Sequence, residues 1–184
     1  SMHGHPDAAG FIQSFTGSSR YILDYLVEEV FERQSPEVKA FLLKTSILER
    51  LSAPLCNAVT EQAGSQKILE ALEQANLFIV PLDHSRMWYR YHHLFVELLR
   101  HHSRIADIQQ VVLHLRASQW YESQGLLRDA VEHSFAAQDW ANAARLVGDA
   151  SETMFKHGEY LTLLHWCSRL PQPVVYSSGS MCLI

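Results

Sequence analysis

The sequence predicts a mainly α fold in two parts: a winged-helix domain with a small β-hairpin, then a run of antiparallel helical repeats. Three observations carry this expectation. Between Asn76 and His102 the hydrophobic pattern passes from two short β-prone runs to helical spacing. Ahead of that stretch stand three segments with helix-start signals and apolar stripes, which is the element order of a winged helix. From about Ile108 onward the pattern is helical throughout and weakly repetitive.

The hairpin rests on two runs. Leu77 to Leu82 is apolar, branched and of strand length, and Trp88 to Tyr91 is short and rich in aromatics, with Asp83, His84 and Ser85 as the polar break between them. β-branched and aromatic runs around a polar turn pair readily as antiparallel strands. Leu94, Phe95, Leu98 and Leu99 then recur on one face of a helix. His92 stands where the second strand passes into that helix.

Upstream, Phe11 to Phe15 is a short apolar patch, and Ser18 or Ser19 is placed to cap a helix over about 20–33. Its stripe is Ile22, Leu23, Leu26, Val27, Val30 and Phe31. Ser35-Pro36-Glu37 is a helix start, with a cap, a proline at the first position and an acid in the first turn. Ser52-Ala53-Pro54 starts the next helix, Gly64 is read as its stop, and Ser65 opens another. Residues 35–105 are the predicted winged-helix domain, preceded by a linker and helix over 1–34 and followed by the repeats over 106–184.

In a winged helix the third helix, here about Ser65 to Ala75, is the one that would enter the major groove. Its outward residues are Gln66, Lys67, Glu70, Glu73 and Gln74, and the wing tip adds only Arg86. One lysine against two glutamates is a poor reader of DNA, because carboxylates repel phosphate and no arginine is there for a bidentate guanine contact. The formal net charge of −5 points the same way. The expected role is packing against protein. The alternative of another class is a winged-helix DNA-binding module with a helical dimerisation tail.

In the second part, Val111, Val112, Leu115, Ala117, Trp120 and Tyr121 begin a helix that ends at Gly125. Asp129 to Ala137, Trp140 to Val147 and Tyr160 to Leu170 follow as helices. Gly125 and Gly158 lie 33 residues apart, each after one helix and before another. Ala130, Ala136, Ala143 and Ala144 are expected where paired helices touch closely. A period near this length suits stacked helix pairs of the tetratricopeptide (TPR-like) kind. Such stacks need about three repeats, and this chain holds at most two, so the sequence reads as a segment of a longer protein.

Chemistry-bearing residues are scattered. The chain has eleven histidines, paired at His92-His93 and His101-His102. Adjacent residues on a helix point about 100° apart, so neither pair chelates a metal alone, and solvated surface histidine is the expected reading. Cys56, Cys167 and Cys182 are widely spaced and odd in number, which suggests packed thiols in a reducing, cytoplasmic setting. No nucleophile stands beside a base, and Gly17 alone makes no phosphate cradle, so no enzyme activity and no cofactor of the segment's own are expected. Trp120, Tyr121, Trp140 and Trp166 are read as helix-pair core, with a partner groove as the alternative. No apolar run has membrane-spanning length.

A set of segments read in succession carries a resemblance. They are Gly17-Ser-Ser-Arg-Tyr-Ile-Leu-Asp-Tyr-Leu-Val-Glu-Glu-Val30, Phe41-Leu-Leu-Lys-Thr-Ser-Ile-Leu48, Leu51-Ser-Ala-Pro-Leu-Cys56 and Tyr89-Arg-Tyr-His-His-Leu-Phe95. From about Phe11 the chain resembles the MalT-like group of ATP-dependent LuxR-type transcription regulators, which are signal-transduction (STAND) ATPases. The resemblance implies a parent protein with an N-terminal ATPase, a winged helix, a helical sensor region and a C-terminal DNA-binding domain. This chain corresponds to the middle, with 1–34 as the linker and helix leaving the ATPase module. ATP or ADP would be bound in the parent. The implied partners are the upstream ATPase domain and a small-molecule inducer or inhibitory protein on the repeats. DNA would be met only through the C-terminal domain, and a membrane not at all. The resemblance also implies a role for one residue. In related ATPases a histidine at the end of the winged-helix hairpin touches the β-phosphate of ADP and locks the resting state. Tyr91-His92-His93-Leu94-Phe95 matches that motif at His92, whereas many relatives have aspartate where His93 stands. The plainer reading is that His92 caps the helix or fills the hairpin corner.

Overall fold

The computed structural model of the chain describes residues 30–105 and 108–177. The patch at Phe11 to Phe15, the cap at Ser18 or Ser19 and nearly all of the helix expected over 20–33 lie outside them. Of that helix's stripe, Val30 and Phe31 are described, and both are buried. The chain divides into two compact units between Ile108 and Gln109.

The first unit runs α1 (Pro36–Thr45), α2 (Ala53–Thr60), α3 (Ser65–Gln74), β1 (Ile79–Pro81), β2 (Tyr89–Tyr91) and α4 (His93–Ile105). This is the winged-helix order that the sequence predicts. The two proline starts behave as expected. The Ser35 hydroxyl accepts from Val38 N at 3.3 Å, and the Ser52 hydroxyl accepts from Leu55 N at 3.4 Å, each satisfying a donor that the first turn leaves free. Gly64 differs from expectation. Glu61, at φ 56°, ends α2, while Gly64, at φ 95°, is the N-cap of α3. The chain needs a left-handed residue twice between these helices, and the glycine serves the second turn. Phe41, Leu42, Leu55, Leu69 and Phe95 are fully buried and form the heart of this unit.

β1 and β2 pair antiparallel, with Ile79 opposite Tyr91, Val80 opposite Arg90 and Pro81 opposite Tyr89. Leu51 adds a bridge on the other side of β2, exchanging two 2.8 Å hydrogen bonds with Tyr89. β1 is shorter than its apolar run for a local reason. Asn76 and Phe78 have φ 52° and 54°, and Leu77 N donates to Leu72 O at 2.9 Å. Leu77 and Phe78 therefore belong to the exit from α3. Burial alternates along β2, with Tyr89 and Tyr91 inward and Arg90 exposed.

The second unit comprises α5 (Gln110–Ser123), α6 (Leu127–Ala136), α7 (Trp140–Lys156), α8 (Tyr160–Arg169) and α9 (Gln172–Ser177), with α5 to α8 each packed on the next and α9 on α7. The repeat seen in the sequence is a repeat of helix exits. Gly125 N donates to Glu122 O and Leu126 N to Tyr121 O; 33 residues on, Gly158 N donates to Phe155 O and Glu159 N to Met154 O. These are Schellman turns, with a left-handed residue just past the helix. Gln138 fills that position at the end of α6 and Asn76 at the end of α3.

Three details depart from the sequence pattern. The helix from Trp140 continues past Val147 to Lys156, because Ala150 and Met154 extend its buried stripe. In α5, Val111 faces out and Leu113 faces in. Ala136 is exposed, and its neighbour Ala137 is buried instead. Ala130, Ala143 and Ala144 are buried as expected. There Ser118 donates to Ala130 O at 2.9 Å and meets Ser134 at 2.8 Å, while Asn142 donates to Ser134 at 3.0 Å. Small side chains let the helices approach, and the hydroxyls satisfy one another in the seam.

Candidate functional site

The junction between β2 and α4 is fixed from both sides. Tyr91 points inward, and its phenol lies 2.7 Å from the Thr45 hydroxyl at the end of α1. One residue on, His92 N donates to Phe78 O at 2.7 Å, extending the ladder beyond the named strands. The His92 carbonyl accepts from Phe95 N at 2.9 Å and from Val96 N at 3.0 Å, so the same residue opens α4. Arg100 ties α4 back to α1, donating to Ser46 O at 2.9 Å.

The backbone of His92 starts the helix; its ring is not used for that. Nδ1 is buried and has no hydrogen-bond partner. The ring meets Phe78 edge-on at 6.1 Å and His93 at 4.3 Å. Burial, with smaller contributions from His93 and Arg90, holds the imidazole below the ordinary histidine range. It is therefore neutral near pH 7, with one ring nitrogen a donor and the other an acceptor. His92, His93, Arg90, Tyr91 and Val80 line a hollow of about 180 Å³. The sequence singled out His92 here and gave Arg90 no separate role.

The face expected to avoid DNA is built from internal pairs. Gln66 donates to Glu70 at 2.7 Å. Glu73 accepts from the Tyr89 hydroxyl at 3.4 Å and pairs with Arg86 at 3.3 Å, so the arginine of the wing is held against α3. Asp83 organises the wing loop. Its carboxylate accepts from Met87 N at 2.9 Å, Trp88 N at 3.0 Å and the Ser85 hydroxyl at 3.0 Å. The Met87 hydrogen bond leads in holding its carboxyl below the usual range. An aspartate opening a polar break was the available signal.

The other candidates fall into place separately. Burial pushes the Cys56 thiol up to about 12, and Cys167 is also raised by burial; Cys182 lies outside the described residues. Tyr121 and Trp166 are buried core, while Trp120 and Trp140 are half-buried. Among the described residues no three metal-ligating side chains cluster, and no helix is long and apolar enough to cross a membrane. His114 and His133, which the sequence did not pair, face each other across α5 and α6 with Nδ1 atoms 2.8 Å apart. A second hollow, of about 300 Å³, lies in this unit between the α5–α6 turn and the end of α7. Leu127, Ala150 and Met154 give it an apolar wall, and Arg128 and Glu159, which form an ion pair, give it a polar one.

Comparison with known proteins bears on both units. The profile of the MalT winged helix domain matches residues 27–111. The chain is 31% identical over 182 residues to the serine/threonine-protein kinase PknK of Mycobacterium tuberculosis, covering 98% of this chain and 16% of the kinase. It is 31% identical over 186 aligned positions to the HTH-type transcriptional regulator MalT of Vibrio cholerae, covering 100% of this chain and 20% of that protein. With MalT of Yersinia pestis the identity is 30% over 169 residues, 91% of this chain and 19% of the relative. The chain thus spans a fifth or less of the length of these curated relatives.

Proposed function

The chain belongs to the MalT-like regulators through its MalT-type winged helix, and from that premise we propose that it couples nucleotide state to effector binding without catalysis of its own. The winged helix would meet the nucleotide held by an upstream ATPase domain, with His92 as the sensing residue. The helical repeats would bind an inducer or an inhibitory protein, and the hollow beside Arg128 and Glu159 is the place in this unit with an apolar wall and polar anchors for a small molecule. DNA would be met only by another domain of the parent.

The observation that carries this reading is a ring held at a rigid strand-to-helix junction with a buried, unpartnered Nδ1. A buried polar atom without a partner is costly unless something else satisfies it. A neutral imidazole can give a hydrogen bond to an anionic oxygen, and an anion beside it would favour its charged form. The relatives support the same view. One is a kinase and others are transcription regulators, so what the chain shares with both is not the output step. Coupling then works as a population shift, each ligand favouring one of two arrangements.

In the intact parent protein, His92→Ala is expected to weaken ADP retention and to raise basal transcriptional activity. Unchanged ADP affinity together with unchanged induction would refute the sensing role. The DNA-binding alternative makes an opposite prediction: salt-dependent binding of this chain to duplex DNA. The Glu73–Arg86 pair and the acidic outward face of α3 argue against it.

A further inference from the structure

We propose that the outward face of the β-hairpin is a docking surface for a partner protein, and that it takes an acidic segment carrying apolar side chains. This goes beyond the sensing role given to His92 and does not depend on it. Tyr89 and Tyr91 turn to the core, while Arg90 and Val80 opposite it turn outward. Leu82 and Trp88 continue that face, joined by a 2.8 Å hydrogen bond from Leu82 N to Trp88 O. Met87 stands beside them at the tip. Among the described residues of the first unit, the exposed large apolar side chains are Val80, Leu82 and Met87, all of them on this hairpin. A cluster of that kind marks an interaction site more often than scattered exposure does.

Two arginines frame the apolar strip. Arg90 is exposed beside Val80. The bridge between Leu51 and Tyr89 sets Arg50 against the hairpin, with its guanidinium 5.3 Å from the centre of the Trp88 ring. The carboxylate of the wing, Asp83, is committed to Met87 N, Trp88 N and the Ser85 hydroxyl, and Arg86 is turned to Glu73 on α3. Arg50 and Arg90 therefore give the strip a positive rim, which suits carboxylates on a partner. Tryptophan, methionine and arginine beside aliphatic side chains are what protein–protein contacts concentrate, whereas a phosphate-gripping wing needs charge and no apolar strip. The backbone is not what would be recognised. The ladder uses Phe78 and Leu82, so Ile79 and Pro81 face the free edge of β1, and Pro81 has no N–H to offer an added strand. A partner would thus meet side chains, on a surface held rigid by Asp83 at the turn and by Leu51 on the far side of β2.

The test screens random peptides displayed on phage against this chain. Selected peptides are expected to place Asp or Glu beside Leu, Phe or Trp. Leu82→Asp and Arg90→Glu should each weaken a selected peptide about tenfold or more, and Arg86→Gln should leave it unchanged. Peptides reselected on Arg90→Glu should carry Lys or Arg in place of the acid. Leu82 and Arg90 are exposed, so both variants are expected to keep the fold, checked by unchanged amide spectra in α1 to α3. In the intact parent protein, Leu82→Cys should react with a maleimide as fast as in this chain, read at that peptide by mass spectrometry. Protection there would mean that the parent's own domains fill the face, and would overturn the proposal. So would selected peptides indifferent to Leu82 and Arg90, or duplex DNA bound through Arg90. Self-association of this chain that Leu82→Asp abolishes would overturn it too, by making the occupant a second copy.

Discussion

The two units are held together at different ranges of sequence. In the winged helix the decisive contacts join distant residues: Thr45 to Tyr91 across 46 positions and Ser46 to Arg100 across 54. In the repeats they span less of the sequence: Ser118 to Ser134 across 16, Glu122 to Arg145 across 23 and Glu132 to Arg169 across 37. A unit closed by long-range contacts responds to a lesion as a whole, whereas stacked helices pass it to the next helix or the one after. The proposed sensing role would use the first property at the nucleotide and draw adaptable surface from the second.

Four measurements would break or sharpen this contrast. The largest effect is expected from Phe95→Ala. Phe95 is fully buried and packs on Phe78 and Tyr91, so its truncation should cost about 3–5 kcal/mol. Hydrogen exchange should show lost protection from α1 through α4 but not in α7 and α8; loss confined to α4 would contradict the long-range account.

The next effect belongs to the repeats and depends on pH. Burial, aided by His114, lowers His133 to about 4. The unfolded chain therefore takes up a proton first, at about 6.5. The contribution of His133 to stability is full above that pH and is lost as the pH drops towards 4, a loss on the order of 3 kcal/mol. Denaturant unfolding of His133→Phe across this window should show a flatter profile, and a wild-type profile already flat would refute the argument.

Thr45→Val should cost about 1–3 kcal/mol, because it leaves the buried Tyr91 hydroxyl without its partner. If the junction is closed as described, the variant should also disturb the His92 ring signals. Smallest are the helix exits. Gly158→Ala should destabilise by about 1 kcal/mol and Gln138→Gly should stabilise by a similar amount, since both positions are left-handed. Thermal melts of the two variants moving in the same direction would remove the equivalence drawn between the exits.

How much was legible depended on whether the signal was local. Ser35-Pro36 and Ser52-Ala53-Pro54 marked their helices because capping involves residues three apart. Gly125 and Gly158 showed the repeat because left-handed exits favour glycine, but Gln138 hid a turn of the same kind because its residue type gives no such hint. His92 was singled out by motif and by its place between strand and helix. The pairing of Arg86 with Glu73, and of His114 with His133, had no sequence signal.

The sequence by itself determined the element order, the proline-led helix starts, the hairpin and the acidic outward face of α3, since each follows from periodicity, capping or charge within a short window. Tertiary structure decided which arginine is engaged and which is available, where α7 ends, and that the Nδ1 of His92 is buried without a partner. Those outcomes depend on residues tens of positions apart arriving at one place, and side-chain chemistry is set by that shared environment.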